Sequence, residues 1–158
     1  MQIIMWFIGG VSMIIGYYHQ LFFGGGTYYK LSKKAQDCKY KFEYCHSVIP
    51  NYIPNAEEFI KEYNTLSFKD EKFKELNEKL KVKNIEFNNY INEIIEIVNN
   101  SDWNKISNQE YTSNNLDDVC WDFYIEAENK KYFINGYSVY PIEIEKIYDL
   151  FEKMQNDF

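Results

Sequence analysis

The sequence predicts a single α+β domain, residues 1–158: an antiparallel sheet with helices inserted in the middle and a C-terminal helix packed on the sheet. Three observations carry this expectation. Residues 37–45 and 119–126 alternate apolar and polar side chains with a period of two, which sends one set to each face of a strand. Between them, and again near the C-terminus, apolar residues recur every three or four positions, the period of a helix face. With 158 residues, 46% of them hydrophobic and 19% aromatic, the chain has the length for one domain and the side chains for one core.

Residues 1–23 hold no charged side chain and admit two readings. One is a pair of buried core strands, 3–8 and 11–15, turning at Gly9-Gly10. The other is a membrane anchor, since about 20 residues of helix span roughly 30 Å. Lys30, Lys33 and Lys34 follow the segment, so an anchor would leave the remainder in the cytoplasm. A cleaved signal peptide does not fit, because no basic start and no small-x-small cleavage site flank the apolar run. Trp6, Phe7, Tyr17, Tyr18, Phe22 and Phe23 are strand-compatible, and the packed reading is preferred.

Gly24-Gly25-Gly26 precedes a strand over residues 27–31. The triplet lacks the Gly-Lys-Ser/Thr ending of a phosphate loop and the spacing of a dinucleotide loop. A tight turn or a close backbone approach accounts for it. A hairpin at Lys33-Lys34 leads into the strand over 37–45. There Cys38, Tyr40, Phe42 and Tyr44 face the core, and Lys39, Lys41 and Glu43 face away.

Pro50 and Pro54 mark a loop. Asn55-x-x-Glu58 opens a helix carrying Phe59, Tyr63 and Leu66, and Ser67-x-x-Asp70 opens another carrying Phe73, Leu76 and Leu80. A third helix puts Phe87, Ile91, Ile94, Ile95 and Val98 on one face and stops at Asn99-Asn100-Ser101. Trp103 and the polar stretch through Asn115 read as loop, and nothing assigns a role to residues 107–115. The strand over 119–126 then turns at Glu128-Asn129-Lys130 and returns over 131–135, interrupted by Gly136. Pro141 sits near the first turn of the last helix, where its missing N–H costs nothing. Ile144, Ile147, Tyr148, Phe151 and Met154 form that helix's apolar stripe.

Several of these pieces together carry a resemblance: Phe22-Phe23-Gly24-Gly25-Gly26, Tyr28, Trp103, Asp117-Asp118-x-x-Trp121-x-Phe123-x-Ile125, and Gly136-Tyr137-x-x-Tyr140-Pro141 before a closing helix. The chain resembles a group of small bacterial domains that pair a glycine-triplet strand with a C-terminal Trp-strand, a hairpin, a Gly-Tyr-x-x-Tyr-Pro step and a helix. The resemblance brackets about 120 residues and implies a fold, not an activity, so no catalytic residue is carried over. Many members of that group follow export leaders. This sequence lacks the basic start and the lipid-attachment Cys of such a leader.

The polar residues exclude more than they assign. All 17 basic residues are Lys, so no guanidinium fork is available for phosphate or guanine. With a net charge of −7, direct nucleic-acid binding is disfavoured and a protein partner with a basic surface is the better match. Cys38, Cys45 and Cys120, with His19 and His46, show no metal-ligand spacing. Cys45 and His46 are strand neighbours pointing to opposite faces, which argues against a thiolate–imidazole dyad. Asp117 and Asp118, with Asp122 nearby, could hold a cation, but solvation of a strand entry explains them more simply. No cofactor, metal or catalytic residue is assigned.

The expected function is therefore a non-catalytic, acidic protein-binding module in the cytoplasm. Asp117, Asp118, Asp122, Tyr124, Tyr137 and Tyr140 form its candidate interaction surface, Tyr being favoured at interfaces for its large contact area and few rotors. A sharper form is a phage or mobile-element inhibitor of a host nucleic-acid-handling complex, anti-CRISPR-like in action. The alternative is a membrane-tethered domain of the cell envelope, anchored through residues 1–23.

Overall fold

The hub of the molecule is the strand Met13–Gln20, β1, which is paired along its whole length on both sides. The computed structural model describes residues 12–20, 26–46, 79–113 and 119–157. On one side β1 pairs with Gly26–Lys33 (β2), which pairs with Tyr40–His46 (β3), which pairs with the short Lys81–Ile85 (β4). On the other side it pairs with Cys120–Ala127 (β5), which forms a hairpin with Lys130–Tyr137 (β6). All pairings are antiparallel, and the order is β4-β3-β2-β1-β5-β6. The β5–β6 turn has two residues, Glu128 and Asn129, both at positive φ (52° and 63°), the geometry whose twist matches that of the flanking strands.

Three helices complete the described fold: α1, Asn89–Asn100; α2, Trp103–Ser107; and α3, Ile142–Asn156. The side chain of Asn88 accepts from the Ile91 N–H at 3.0 Å and starts α1, and Asp102 does the same for α2 through the Lys105 N–H at 3.1 Å. One face of the sheet meets these helices. Ile15, Tyr17, Tyr29, Leu31, Phe42, Trp121, Phe123 and Ile125 lie there, sealed from solvent. Phe151 of α3 stacks on Tyr29 (5.6 Å between centroids), and Trp103 of α2 stacks on Phe123 (5.4 Å). Ile91, Ile94 and Val98 of α1 join the same core.

Several expectations are corrected here. The strand expected over 11–15 runs instead over Met13–Gln20 and is the central strand, which agrees with the packed reading and not with a membrane helix there; the turn at Gly9-Gly10 and the strand over 3–8 lie outside the described residues. No helix among the described residues is long and apolar enough to cross a membrane. The two helices expected from Phe59 and from Phe73 also lie outside them. Strand β3 begins at Tyr40 and not at residue 37, because residues 38 and 39 form a bend. Lys81–Ile85 adds a strand that the apolar pattern did not announce, and Trp103–Ser107 is a short helix, not loop. Gly136 does not interrupt β6: it stays in register opposite Trp121. Glu43, expected on an open face, is only 2% exposed. The centre of the sheet is therefore buried on both sides.

Candidate functional site

Of the residues expected to share one surface, Asp122 and Tyr137 line one concavity of about 540 Å³ with Cys120 and Asn135, and Tyr140 does not join them. Asp122, Tyr124 and Tyr137 lie on the sheet face opposite the helices, since they alternate with Trp121, Phe123 and Gly136 in β5 and β6. Tyr140 lies on the helix side, where its ring stacks on Trp121 at 5.1 Å and its hydroxyl meets that of Tyr17 at 3.3 Å. Tyr124 is buried and donates to the Glu126 carboxylate at 2.8 Å, which removes it from any contact surface. Burial lifts the Asp122 carboxyl from its ordinary range to about 6. Asp117 and Asp118 lie outside the described residues. The shape of a single Tyr–Asp patch is thus corrected by the pleat: neighbours in a strand point to opposite faces.

The face opposite the helices carries a polar layer that alternation alone does not reveal. Lys30 of β2 stands directly across from Glu43 of β3, and Tyr28 across from Cys45. All four are buried. Burial pulls the Lys30 ammonium down to about 8 against the opposing pull of Glu43. Complete burial, with Glu43 adding to it, pushes the Tyr28 phenol well above its usual value. Lys41 reaches Glu43 from the solvent edge at 2.7 Å. Two cations around one buried carboxylate form a structural ion cluster, costly to dismantle one member at a time.

A second polar group sits where α3 crosses the ends of β1, β2 and β3. Tyr148 packs on Tyr17 (4.8 Å) and on His19 (5.4 Å), and the Tyr29 hydroxyl donates to Gln155 Oε1 at 2.6 Å. His19 and His46 share this face but are separated by Thr27, which pairs with both. Burial holds the His19 imidazole below its ordinary value, with Glu152 pulling it up and His46 pulling it down. Its Nδ1 has no hydrogen-bond partner among the described residues. Cys45 points through the sheet to the other side, as the strand alternation requires. Among the described residues no three His, Cys, Asp or Glu side chains gather in a way that could hold a metal ion.

Another concavity, besides one of about 310 Å³ beside Trp103 and Tyr132, is formed by two helices. Tyr90, near the start of α1, hydrogen-bonds Asp157, just past the end of α3, so the two helices run antiparallel side by side. In α1, Ile91, Ile94 and Val98 enter the core, which leaves Glu93, Glu96, Ile97 and Asn100 as the adjoining stripe. In α3, Ile144, Ile147, Phe151 and Met154 enter the core, and Ile142, Lys146, Asp149 and Lys153 form the adjoining stripe. The two stripes face one another across a groove of about 570 Å³. Ile97 and Leu150 lie at its base, Ile142 is 59% exposed at one end, and Glu93, Glu96, Glu143 and Asp149 line it. None of these four carboxylates belongs to an ion pair among the described residues. Nothing in the sequence singled this groove out, because it exists only where α1 and α3 meet.

No family model matches the chain, and no curated protein or solved structure matches it either.

Proposed function

We propose that this protein is a non-catalytic protein-binding module whose contact face is the α1–α3 layer and whose partner presents a basic surface. The observation that carries the reading is the groove itself: an apolar base flanked by four carboxylates, which belong to no ion pair among the described residues and outnumber the two lysines there, Lys146 and Lys153. Carboxylates left in water on a rigid helical pair add little to stability. They do steer a cationic partner and suppress an anionic one. On α1 and α3 together, Glu93, Glu96, Glu143, Glu145, Asp149 and Glu152 outweigh Lys146 and Lys153. The rigid support is the aromatic core beneath, which holds both helices to the sheet. A sharper form of the same reading is an inhibitor that blocks the basic nucleic-acid channel of a host complex, anti-CRISPR-like; the net charge of −7 supports it.

The test is comparative affinity capture from the host lysate with three baits. These are the wild type, a groove variant (Glu93→Lys, Glu96→Lys, Asp149→Lys), and a control of equal charge change elsewhere (Glu86→Lys, Glu110→Lys, Glu128→Lys). The expected result is a basic protein held by wild type and control, lost by the groove variant and released by raised salt. Equal capture by all three baits would refute the assignment of the face.

A further inference from the structure

We infer that the occupant of the α1–α3 groove is a basic amphipathic helix of the partner, about four turns long, laid along α1 and α3 as a third helix. This rests on the protein-binding reading above and specifies its partner. Length sets the first constraint. The 15 residues of α3 extend about 22 Å, which an occupant of roughly 15 helical residues would match. The character of the groove sets the second. Side chains spaced i, i+4, i+7 and i+11 along α3 (Ile142, Lys146, Asp149, Lys153) share one stripe, the spacing of a seam along which a second helix packs.

The chemistry narrows the choice further. The base, Ile97 and Leu150 with Ile142 at the end, fits an apolar stripe. The walls carry four carboxylates (Glu93, Glu96, Glu143, Asp149) against two lysines (Lys146, Lys153), and that net negative charge fits Lys or Arg flanking the stripe, the pattern of helix-in-groove recognition. An extended peptide gains affinity by pairing with a sheet edge, and two helices offer it no such donors or acceptors. A drug-sized ligand favours a predominantly apolar, enclosing site, whereas charged side chains dominate here. A second copy of this chain would bring its own carboxylates against these, at a net charge of −7 per chain.

The experiment uses two synthetic 18-residue peptides of identical Lys, Leu and Ala composition. In one, Leu recurs at i, i+4, i+7 and i+11; in the other the order is scrambled so that no apolar face forms. Each is titrated against the full chain by fluorescence anisotropy. The amphipathic peptide is expected to bind at least tenfold more tightly than the scrambled one. Ile142→Asp is expected to weaken it several-fold, although the substitution adds negative charge. Residue 142 is exposed and an acid there suits the first turn of a helix, so folding is not at stake. If both peptides bind alike and Ile142→Asp tightens both, the helix-in-groove inference is overturned while the acidic face stands. If neither binds, both readings are overturned.

Discussion

The indole of Trp121 lies across the backbone of Gly136 on the neighbouring strand: a Cβ at residue 136 would come within 2.4 Å of the ring. The same indole donates its Nε1–H to the Val139 carbonyl at 2.9 Å and is covered by the ring of Tyr140. Ser138 at positive φ turns the chain there, its Oγ accepting from the Val119 N–H while its own N–H donates to the Val119 carbonyl. The segment from Gly136 to Pro141 thus wraps Trp121 and delivers α3 to the sheet. Gly136→Ala is expected to destabilise the fold by about 1–3 kcal/mol, the usual cost of overpacking, read as a lower midpoint in urea unfolding at constant slope.

The Lys30–Glu43 cluster makes a prediction of sign as well as size. Glu43→Ala leaves a buried ammonium without its opposing charge and is expected to cost about 3–5 kcal/mol. Replacing both residues, Lys30→Met with Glu43→Leu, is expected to cost far less than the two single changes added together. A double-mutant cycle by chemical denaturation measures that coupling.

Asp122 supplies a pH dependence. Its folded carboxyl titrates near 6, above the ordinary aspartate value of 3.8, because burial penalises the charge. Its contribution to stability is therefore fully present below about pH 3.8 and is lost as pH rises through about 6. Over that window Asp122→Asn is expected to remove a dependence of about 1–2 kcal/mol, discounted for the solvent that still reaches the group. His19 acts in the opposite sense, since its lowered folded value makes stability fall as pH drops below the ordinary histidine range. The difference between wild type and Asp122→Asn, measured as Tm against pH, isolates the aspartate.

The tyrosines offer a spectroscopic check. Burial, the first cause in each case, raises Tyr17, Tyr28, Tyr29 and Tyr148 well above the usual phenol range. These four are expected to stay protonated in the native protein at pH 11 and to ionise only when it unfolds. Tyr124, raised by burial and its bond to Glu126, and Tyr18, pushed up to about 12, join them, so an absorbance titration near 295 nm separates this group from tyrosines in the ordinary phenol range. Tyr140→Phe removes the partner of the buried Tyr17 hydroxyl and is expected to cost about 1 kcal/mol.

What the sequence made legible divides along physical lines. Strand β5 is readable because Trp121, Phe123 and Ile125 all face the helices and alternate cleanly with Asp122 and Tyr124. Helix α3 is readable because its stripe is long. Helix α1 is readable too, yet Phe87, counted on its face by spacing, lies before the Asn88 cap and is 47% exposed. Strand β4 has only Val82 and Ile85 to advertise it and exists because β3 offers an edge to pair with. Its lysines keep that edge charged. Glu43 reads as a solvated charge until Lys30 is placed across from it. The groove is illegible for the same reason: Glu93 and Asp149 are ordinary surface acids until an antiparallel packing of distant segments sets them side by side.

The central claim is that α1 and α3 form the binding face, and amide chemical-shift mapping tests it most directly. The 15N-labelled chain is titrated with the amphipathic Lys/Leu/Ala peptide. The account predicts that the largest perturbations fall at Glu93, Ile97, Asn100, Lys146, Asp149 and Leu150 and saturate together. Perturbations centred instead on Asp122, Asn135 and Tyr137, with α1 and α3 unmoved, would contradict it.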